Sequence, residues 1–327
     1  MNTVQGPILA LVAMLVAAPP TANAAQQSYV EVQGPSGLLK GTMLAPEVSS
    51  RSTPVVLIVP GSGPTDRDGN NPLGIKAASY RLLAEGLAAQ GITSVRIDKR
   101  GMFASGGAAK DANHVTMADY AADAHAWAAM LRKQTGAPCI WIAGHSEGSL
   151  VALLAAQTPQ DLCGLVLLSG AGRRLGDIVR EQLRAQPGAT EAILAPYLDA
   201  IDKLEKGQKV ELSPSDPLSH SLFAPQVQDF LIDQMRYDPA ELLKTYAGPV
   251  MVLRGDTDIQ VSAVDADRLA HARADVVFRP LSGVNHVLKK APANRVANFA
   301  TYSDPSLPIA DAVVDAVAAF VQSRARR

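Results

Sequence analysis

The run Val55–Val59 is continuously apolar and rich in β-branched residues, the pattern of a strand buried on both faces. Strand-like runs recur at 92–97, 140–143, 165–168, 250–253 and 276–278, and stretches of helical period lie between them at 77–90, 116–134, 146–157, 262–273 and 310–324. Regular alternation of strand and helix predicts an α/β domain whose mostly parallel sheet is covered by helices on both faces. Ahead of it, the alternating runs 29–32 and 37–44, bounded by Gly and Pro, predict an antiparallel pair at one sheet edge. The alternation breaks once, at 170–248, where the chain instead offers charged amphipathic helices at 175–186, 190–206 and 225–237. An insertion after the C-terminal end of a strand lies on the face where such sheets place ligands. This segment reads as a helical cap over an active site, against the alternative of a peripheral decoration.

The first charged side chain is Glu31, and before it come an apolar run at 7–18, Pro19, Pro20 and the small-residue stretch Thr21-Ala22-Asn23-Ala24-Ala25. The run is shorter than the ~20 residues that span a bilayer core, and Ala22-x-Ala24 suits cleavage, so 1–24 reads as a secretory signal peptide. It departs from the usual pattern in having no Lys or Arg before the apolar run; an uncleaved N-terminal anchor is the alternative. The expected organisation is a leader at 1–24, a core built from 25–169 and 249–327, and a cap at 170–248. After cleavage no stable membrane insertion is expected.

Composition narrows the function classes. Hydrophobic residues make up 47% of the 327, enough to build a core, and 30 Lys+Arg against 31 Asp+Glu leave a net charge of -1. Such a balance offers no basic face for a phosphate backbone, so nucleic acid is not an expected partner. Two cysteines are too few for a disulfide scaffold, and no Cys/His cluster has zinc spacing.

The strongest chemical signal is Gly144-His145-Ser146-Glu147-Gly148, placed between the strand-like run 140–143 and a helical stretch. A serine hydroxyl is a weak nucleophile until a neighbouring base activates it, and a tight strand-to-helix turn exposes it to one. The flanking glycines relieve the crowding such a turn creates.

On this elbow and on the loops Pro60-Gly61-Ser62-Gly63-Pro64-Thr65-Asp66-Arg67-Asp68-Gly69-Asn70 and Asp98-Lys99-Arg100-Gly101, the chain resembles the α/β-hydrolase family. It is most similar to that family's secreted bacterial esterase-like and serine-aminopeptidase-like branch, over nearly all of the sequence after the leader. The resemblance implies a mostly parallel eight-stranded sheet and a catalytic order of serine, acid, histidine. It selects Asp258 as the acid, with Asp256 the rival two residues away and assigned a turn-holding role. It selects His286 as the base. His271 also follows the acid but lies in a helical stretch, His114, His125 and His220 precede it, and His145 is expected to pack beside the turn. The oxyanion donors implied are the backbone N–H groups of Ser62 and Glu147.

Two positions depart from the family pattern, Ser149 and Phe103, where glycine is frequent. Phe103 either lines the acyl pocket or packs on its own loop. Asp66, Arg67 and Asp68 read as a solvated turn rather than as substrate contacts. Cys139 and Cys163 begin two strands that are neighbours in this fold, so they either form a disulfide worth roughly 3 kcal/mol or remain two buried thiols. Neither is placed to be a nucleophile.

These features imply an exported, periplasmic or extracellular serine hydrolase acting on a small carboxylic ester through an acyl-enzyme, with no cofactor or metal. A peptidase or thioesterase would use the same residues. A secreted binding protein that keeps the fold without turnover is the alternative from another class. Relatives with haloalkane dehalogenase or epoxide hydrolase chemistry place an aspartate at the elbow, which Ser146 excludes here.

Overall fold

The computed structural model describes residues 25–213 and 215–325. The leader expected at 1–24 lies outside the described residues. No helix among the described residues is long and apolar enough to cross a membrane.

Eight strands form one sheet: β1 (Gln26–Gln33), β2 (Leu38–Ala45), β3 (Val55–Val59), β4 (Thr93–Ile97), β5 (Ile140–His145), β6 (Leu162–Leu168), β7 (Val250–Gly255) and β8 (Val277–Leu281). Their spatial order is β1-β2-β4-β3-β5-β6-β7-β8. β1 and β2 pair antiparallel, β2 meets β4 antiparallel, and every later pairing is parallel.

Period-two alternation divides the strand side chains between two cores. Val55, Leu57 and Val59 of β3, with Ile140 and Ile142 of β5, pack against Ala124, Trp127 and Leu131 of α2 (Met117–Thr135) and Val151 of α3 (Glu147–Ala155). Val56 and Ile58, with Trp141 and Ala143, face the opposite layer. That layer comprises Leu83 and Leu87 of α1 (Ser79–Ala89) and Val313, Val317 and Val321 of the C-terminal helix Asp311–Ala325. Both faces being covered is why these strands read as unbroken apolar runs. α2 begins at a capping box in which the Thr116 hydroxyl accepts from Asp119 N–H and the Asp119 carboxylate accepts from Thr116 N–H.

Between β6 and β7 the chain forms α4 (Leu175–Arg184), α5 (Glu191–Glu205), α6 (Pro217–Phe223), α7 (Gln228–Met235) and α8 (Pro239–Thr245). Leu183, Leu194, Ile201, Leu204, Phe223 and Met235 give this segment a small core of its own. The helix expected at 225–237 is instead a 3-10 turn, Pro225–Val227, followed by α7, and α6 and α8 are additional. Both additional helices start at an Asp-Pro pair. The Asp216 carboxylate accepts from the amides of Leu218 and Ser219, and the Asp238 carboxylate from those of Ala240 and Glu241, while proline sits at the first turn. That signature is present in the sequence.

Cys139 and Cys163 are bridged, with Cα atoms 5.1 Å apart. The bridge joins the N-terminal starts of neighbouring strands β5 and β6, at the opposite end of β5 from Ser146.

Candidate active site

Ser146 is the single residue between β5 and α3, held at φ 53°, ψ −119°. An L-residue enters this region of positive φ only under strain, so the surrounding backbone must impose it. The imposition is visible in the glycines. A Cβ on Gly144 would lie 2.1 Å from Gly148 O, and one on Gly148 would lie 2.3 Å from Val59 O. Ser149 tucks its hydroxyl under the turn, donating to Gly144 O at 2.8 Å. Room for it comes from Gly170, where a Cβ would sit 2.6 Å from Ser149 Oγ.

Ser146 opens into two adjoining cavities of about 230 and 90 Å³ that share Ser62, Ser146 and Gln260. Glu147 borders the larger one, together with Leu175, Ile178 and Gln182 of α4, Gln234, Tyr237 and Pro239. His286 lines the smaller one. The backbone N–H groups of Ser62 and Glu147 have no acceptor among the described residues. Both belong to residues that line the larger cavity.

His286 is 4% exposed and lies on the loop after β8. Its Nδ1–H donates to Asp258 Oδ2 at 2.9 Å, while Asp258 Oδ1 accepts from the amides of Gln260 (2.8 Å) and Val261 (3.0 Å). Burial alone would raise the Asp258 pKa. The charge and hydrogen bond of His286, with the Val261 and Gln260 amides, outweigh it and hold the carboxyl below its ordinary value. Asp256 stands apart: its Oδ1 accepts from Gly283 N–H at 2.6 Å, tying the end of β7 to the loop that carries His286. Ser146 Oγ makes no hydrogen bond among the described residues; such contacts tighten when a substrate is bound.

His145 does more than fill space beside the turn. Gly61 N–H donates to Tyr80 Oη at 2.9 Å, Tyr80 Oη lies 2.8 Å from His145 Nδ1, and His145 Nε2 lies 2.8 Å from the His286 carbonyl. An amide N–H can only donate and a carbonyl can only accept, so both ends dictate the direction of the chain. Tyr80 must donate to Nδ1 and His145 must carry its proton on Nε2. Burial, with His286 as a neighbour, pushes the His145 pKa down to about 3, and burial raises that of Tyr80. Both therefore hold their neutral forms near neutral pH.

Each charged residue of Asp98-Lys99-Arg100 has a separate task. Asp98 accepts from Arg67 N–H (2.9 Å) and Nε (3.0 Å) and from Ala104 N–H (3.1 Å), pinning the 60s loop. Lys99 reaches Gly61 and Glu147. Arg100 grips Asp123 of α2 through Nε at 2.9 Å and Nη2 at 2.6 Å. Asp66 holds its own turn by accepting from the amides of Asp68 and Asn70, each at 2.8 Å. Phe103 does not line the Ser146 cavities; 47% exposed, it borders a separate cleft of about 650 Å³ beside Arg67 and Asp98. Its φ of 46° lies where glycine is the natural occupant.

A sheet in this strand order, with a serine on a strained turn between its fifth strand and the next helix, defines an α/β-hydrolase fold. The chain belongs to the Hydrolase_4 family, described as serine aminopeptidase, S33, whose model matches residues 73–288. Esterase EstD of Thermotoga maritima is 24% identical over 258 residues, which is 76% of this chain and 58% of that protein. The chain thus spans under two thirds of that relative's length. Among solved structures, Est1E of Butyrivibrio proteoclasticus with ferulic acid bound superposes with a TM-score of 0.60 at 15% identity, covering 91% of this chain and 100% of that one. The proline iminopeptidase of Mycobacterium smegmatis gives a TM-score of 0.59 at 15% identity, covering 91% and 99%. At such identities these neighbours establish the fold.

Proposed function

We propose that this chain is an exported serine hydrolase that cleaves carboxylic esters through an acyl-enzyme. Ser146 Oγ attacks the carbonyl carbon while His286 Nε2 takes its proton. Asp258 holds the imidazole in the Nδ1–H tautomer and stabilises the imidazolium that forms. The oxyanion faces the N–H groups of Ser62 and Glu147, and its collapse expels the alkoxide, which receives the proton from His286. Water, deprotonated by the same histidine, then releases the acid and restores Ser146. The observation that carries this reading is the 2.9 Å Asp258–His286 hydrogen bond on a loop that lines the same cavity as the strained Ser146.

The wall chemistry favours esters over amino-terminal peptide substrates. An aminopeptidase must receive a free α-ammonium near the scissile bond, and such a charge needs a carboxylate partner when water is excluded. The one carboxylate among the residues lining the two cavities belongs to Glu147, and Lys99 occupies it at 2.9 Å. The other charged residue lining the larger cavity, Arg173, is cationic and held by Asp265 at 2.7 Å.

The segment 170–248 acts in this reading as the cap that bounds the acyl site, supported by the contribution of Leu175, Ile178, Gln182, Gln234, Tyr237 and Pro239 to the larger cavity. Export is supported by the leader pattern and by the Cys139–Cys163 bridge, since disulfides persist in oxidising compartments. A fluorophosphonate probe tests the nucleophile: it labels the wild type and spares Ser146→Ala. Parallel assays on p-nitrophenyl esters and aminoacyl p-nitroanilides test the substrate class. Turnover of the anilides alone would replace the ester reading with a peptidase, and equal labelling of Ser146→Ala would sink both.

A further inference from the structure

The peptide that joins Gly61 to Ser62 is held by a buried cation. Lys99 Nζ donates to the Gly61 carbonyl at 2.7 Å and to Glu147 Oε1 at 2.9 Å, and it lies 5.2 Å from the centroid of the Tyr120 ring. The side chains of Lys99 and Glu147 are each 2% exposed. Among the described residues every peptide is trans, so the carbonyl of Gly61 and the N–H of Ser62 point in opposite directions along one rigid plane. An ammonium fixed on the carbonyl oxygen therefore sets the line along which the Ser62 N–H projects. It also draws electron density out of the peptide, which makes that N–H a stronger donor. The same ammonium grips the side chain of Glu147, whose backbone N–H is the other unpartnered amide beside Ser146.

Packing alone does not account for the arrangement. Removing an ammonium and a carboxylate from water costs several kcal/mol per ion, and apolar side chains of similar volume fill such places at no loss of stability. The ion pair stands where two amide donors must be aligned with each other.

Building on the serine-hydrolase reading, we propose that Lys99 is a positioning residue of the oxyanion hole. It touches neither substrate nor Ser146. By bonding the Gly61 carbonyl and the Glu147 carboxylate together it aims and polarises the Ser62 N–H and keeps it in register with the Glu147 N–H. Tyr80 holds the other side of Gly61 through its N–H, so the glycine is clamped at both its peptide groups.

The test compares the wild type with Lys99→Met and with the double variant Lys99→Met/Glu147→Gln, which leaves no unpaired buried charge and so protects against simple misfolding. For each, kcat and KM on a p-nitrophenyl ester are measured beside the affinity of a trifluoromethyl ketone, which binds serine hydrolases as a tetrahedral oxyanion. Loss of one oxyanion donor costs about 10²- to 10³-fold in kcat, and a donor left in place but misaimed should cost about 10- to 100-fold. The expected result is that loss in kcat for both variants, KM within about threefold of wild type, and ketone affinity falling by the factor lost in kcat/KM. A folded double variant with wild-type kcat overturns the proposal, as does a loss confined to KM. A wild type that neither hydrolyses esters nor takes the fluorophosphonate overturns the hydrolase reading and this one with it, so the two failures are distinguishable.

Discussion

Asp258 and His286 meet at 2.9 Å through Oδ2 and Nδ1, and the second carboxylate oxygen is anchored by two backbone amides two and three residues further on. A carboxylate fixed on both oxygens fixes the ring that leans on it. Asp258→Asn preserves the shape but offers the ring the wrong partner, and should lower kcat by about 10⁴-fold. Asp256→Asn keeps an oxygen for the Gly283 amide and should stay within about threefold of wild type. Steady-state kinetics on the two variants decide between the aspartates, and the reverse ranking would move the acid to Asp256.

The strain at Ser146 has a measurable counterpart. Ser146→Gly and Ser146→Ala both remove the hydroxyl of the proposed nucleophile, but only glycine adopts φ 53°, ψ −119° freely. Relief of strain of about 1–3 kcal/mol, less the entropy glycine adds to the unfolded chain, should leave Ser146→Gly about 1 kcal/mol more stable than Ser146→Ala. Urea unfolding of the two variants checks this; equal midpoints would mean the turn is unstrained.

His145 ties stability to pH. Its pKa falls from 6.5 to about 3 on folding, so between those values the unfolded chain binds more protons than the folded one. Stability from this group is complete above the unfolded value and declines as pH falls toward the folded one. The Asp258 pKa is also depressed, but a depressed carboxyl loses its contribution only below its ordinary value near 4. Burial raises the Asp123 pKa, which adds an opposing slope above pH 4, so the difference between wild type and His145→Gln isolates the histidine, whose share from pH 6.5 to 4 is about 1.4 kcal/mol per pH unit, or roughly 3 kcal/mol. Urea titrations across that window should slope less for His145→Gln than for wild type, and parallel curves would count against the neutral relay.

The disulfide should matter for stability and not for chemistry. It closes a loop spanning 24 positions at the far end of β5 from Ser146. Cys139→Ser/Cys163→Ser should lose about 2–4 kcal/mol of unfolding free energy while kcat of the folded protein is unchanged. A fall in kcat of the folded double variant would show that the two ends of β5 are coupled.

If the segment 170–248 caps the acyl site as proposed, it should set acyl preference. Ile178 of α4 is 8% exposed and lines the cavity of about 230 Å³. Ile178→Ala enlarges that cavity and should raise kcat/KM for longer acyl chains relative to acetate by about tenfold, the worth of about two buried methylenes. An unchanged ranking across a p-nitrophenyl ester series would remove the segment from the acyl site.

Much of this organisation is set by local pattern. A strand buried on both faces has to be apolar throughout, so β3 and its partners are legible one at a time, and the single break in alternation locates the helical segment between β6 and β7. Gly144-His145-Ser146-Glu147-Gly148 is likewise local, because the turn it forms spans five consecutive residues. The Asp-Pro starts of α6 and α8 were as readable as the rest.

What tertiary structure alone decided are the contacts between distant parts of the chain. Tyr80 meets His145 across 65 positions, Lys99 meets Glu147 across 48, and His145 meets the His286 carbonyl across 141. Hydrogen bonds are selected by direction and burial after the strands have been ordered, and sequence spacing carries neither quantity. Phe103 shows the same limit. Its neighbours along the chain admit either fate, and the cleft it borders exists only once the 60s loop is pinned to Asp98. The chain's periodicity determines which elements form and in which order they follow. The packed sheet determines which side chains face one another, because only there do polar groups lose water and have to find each other.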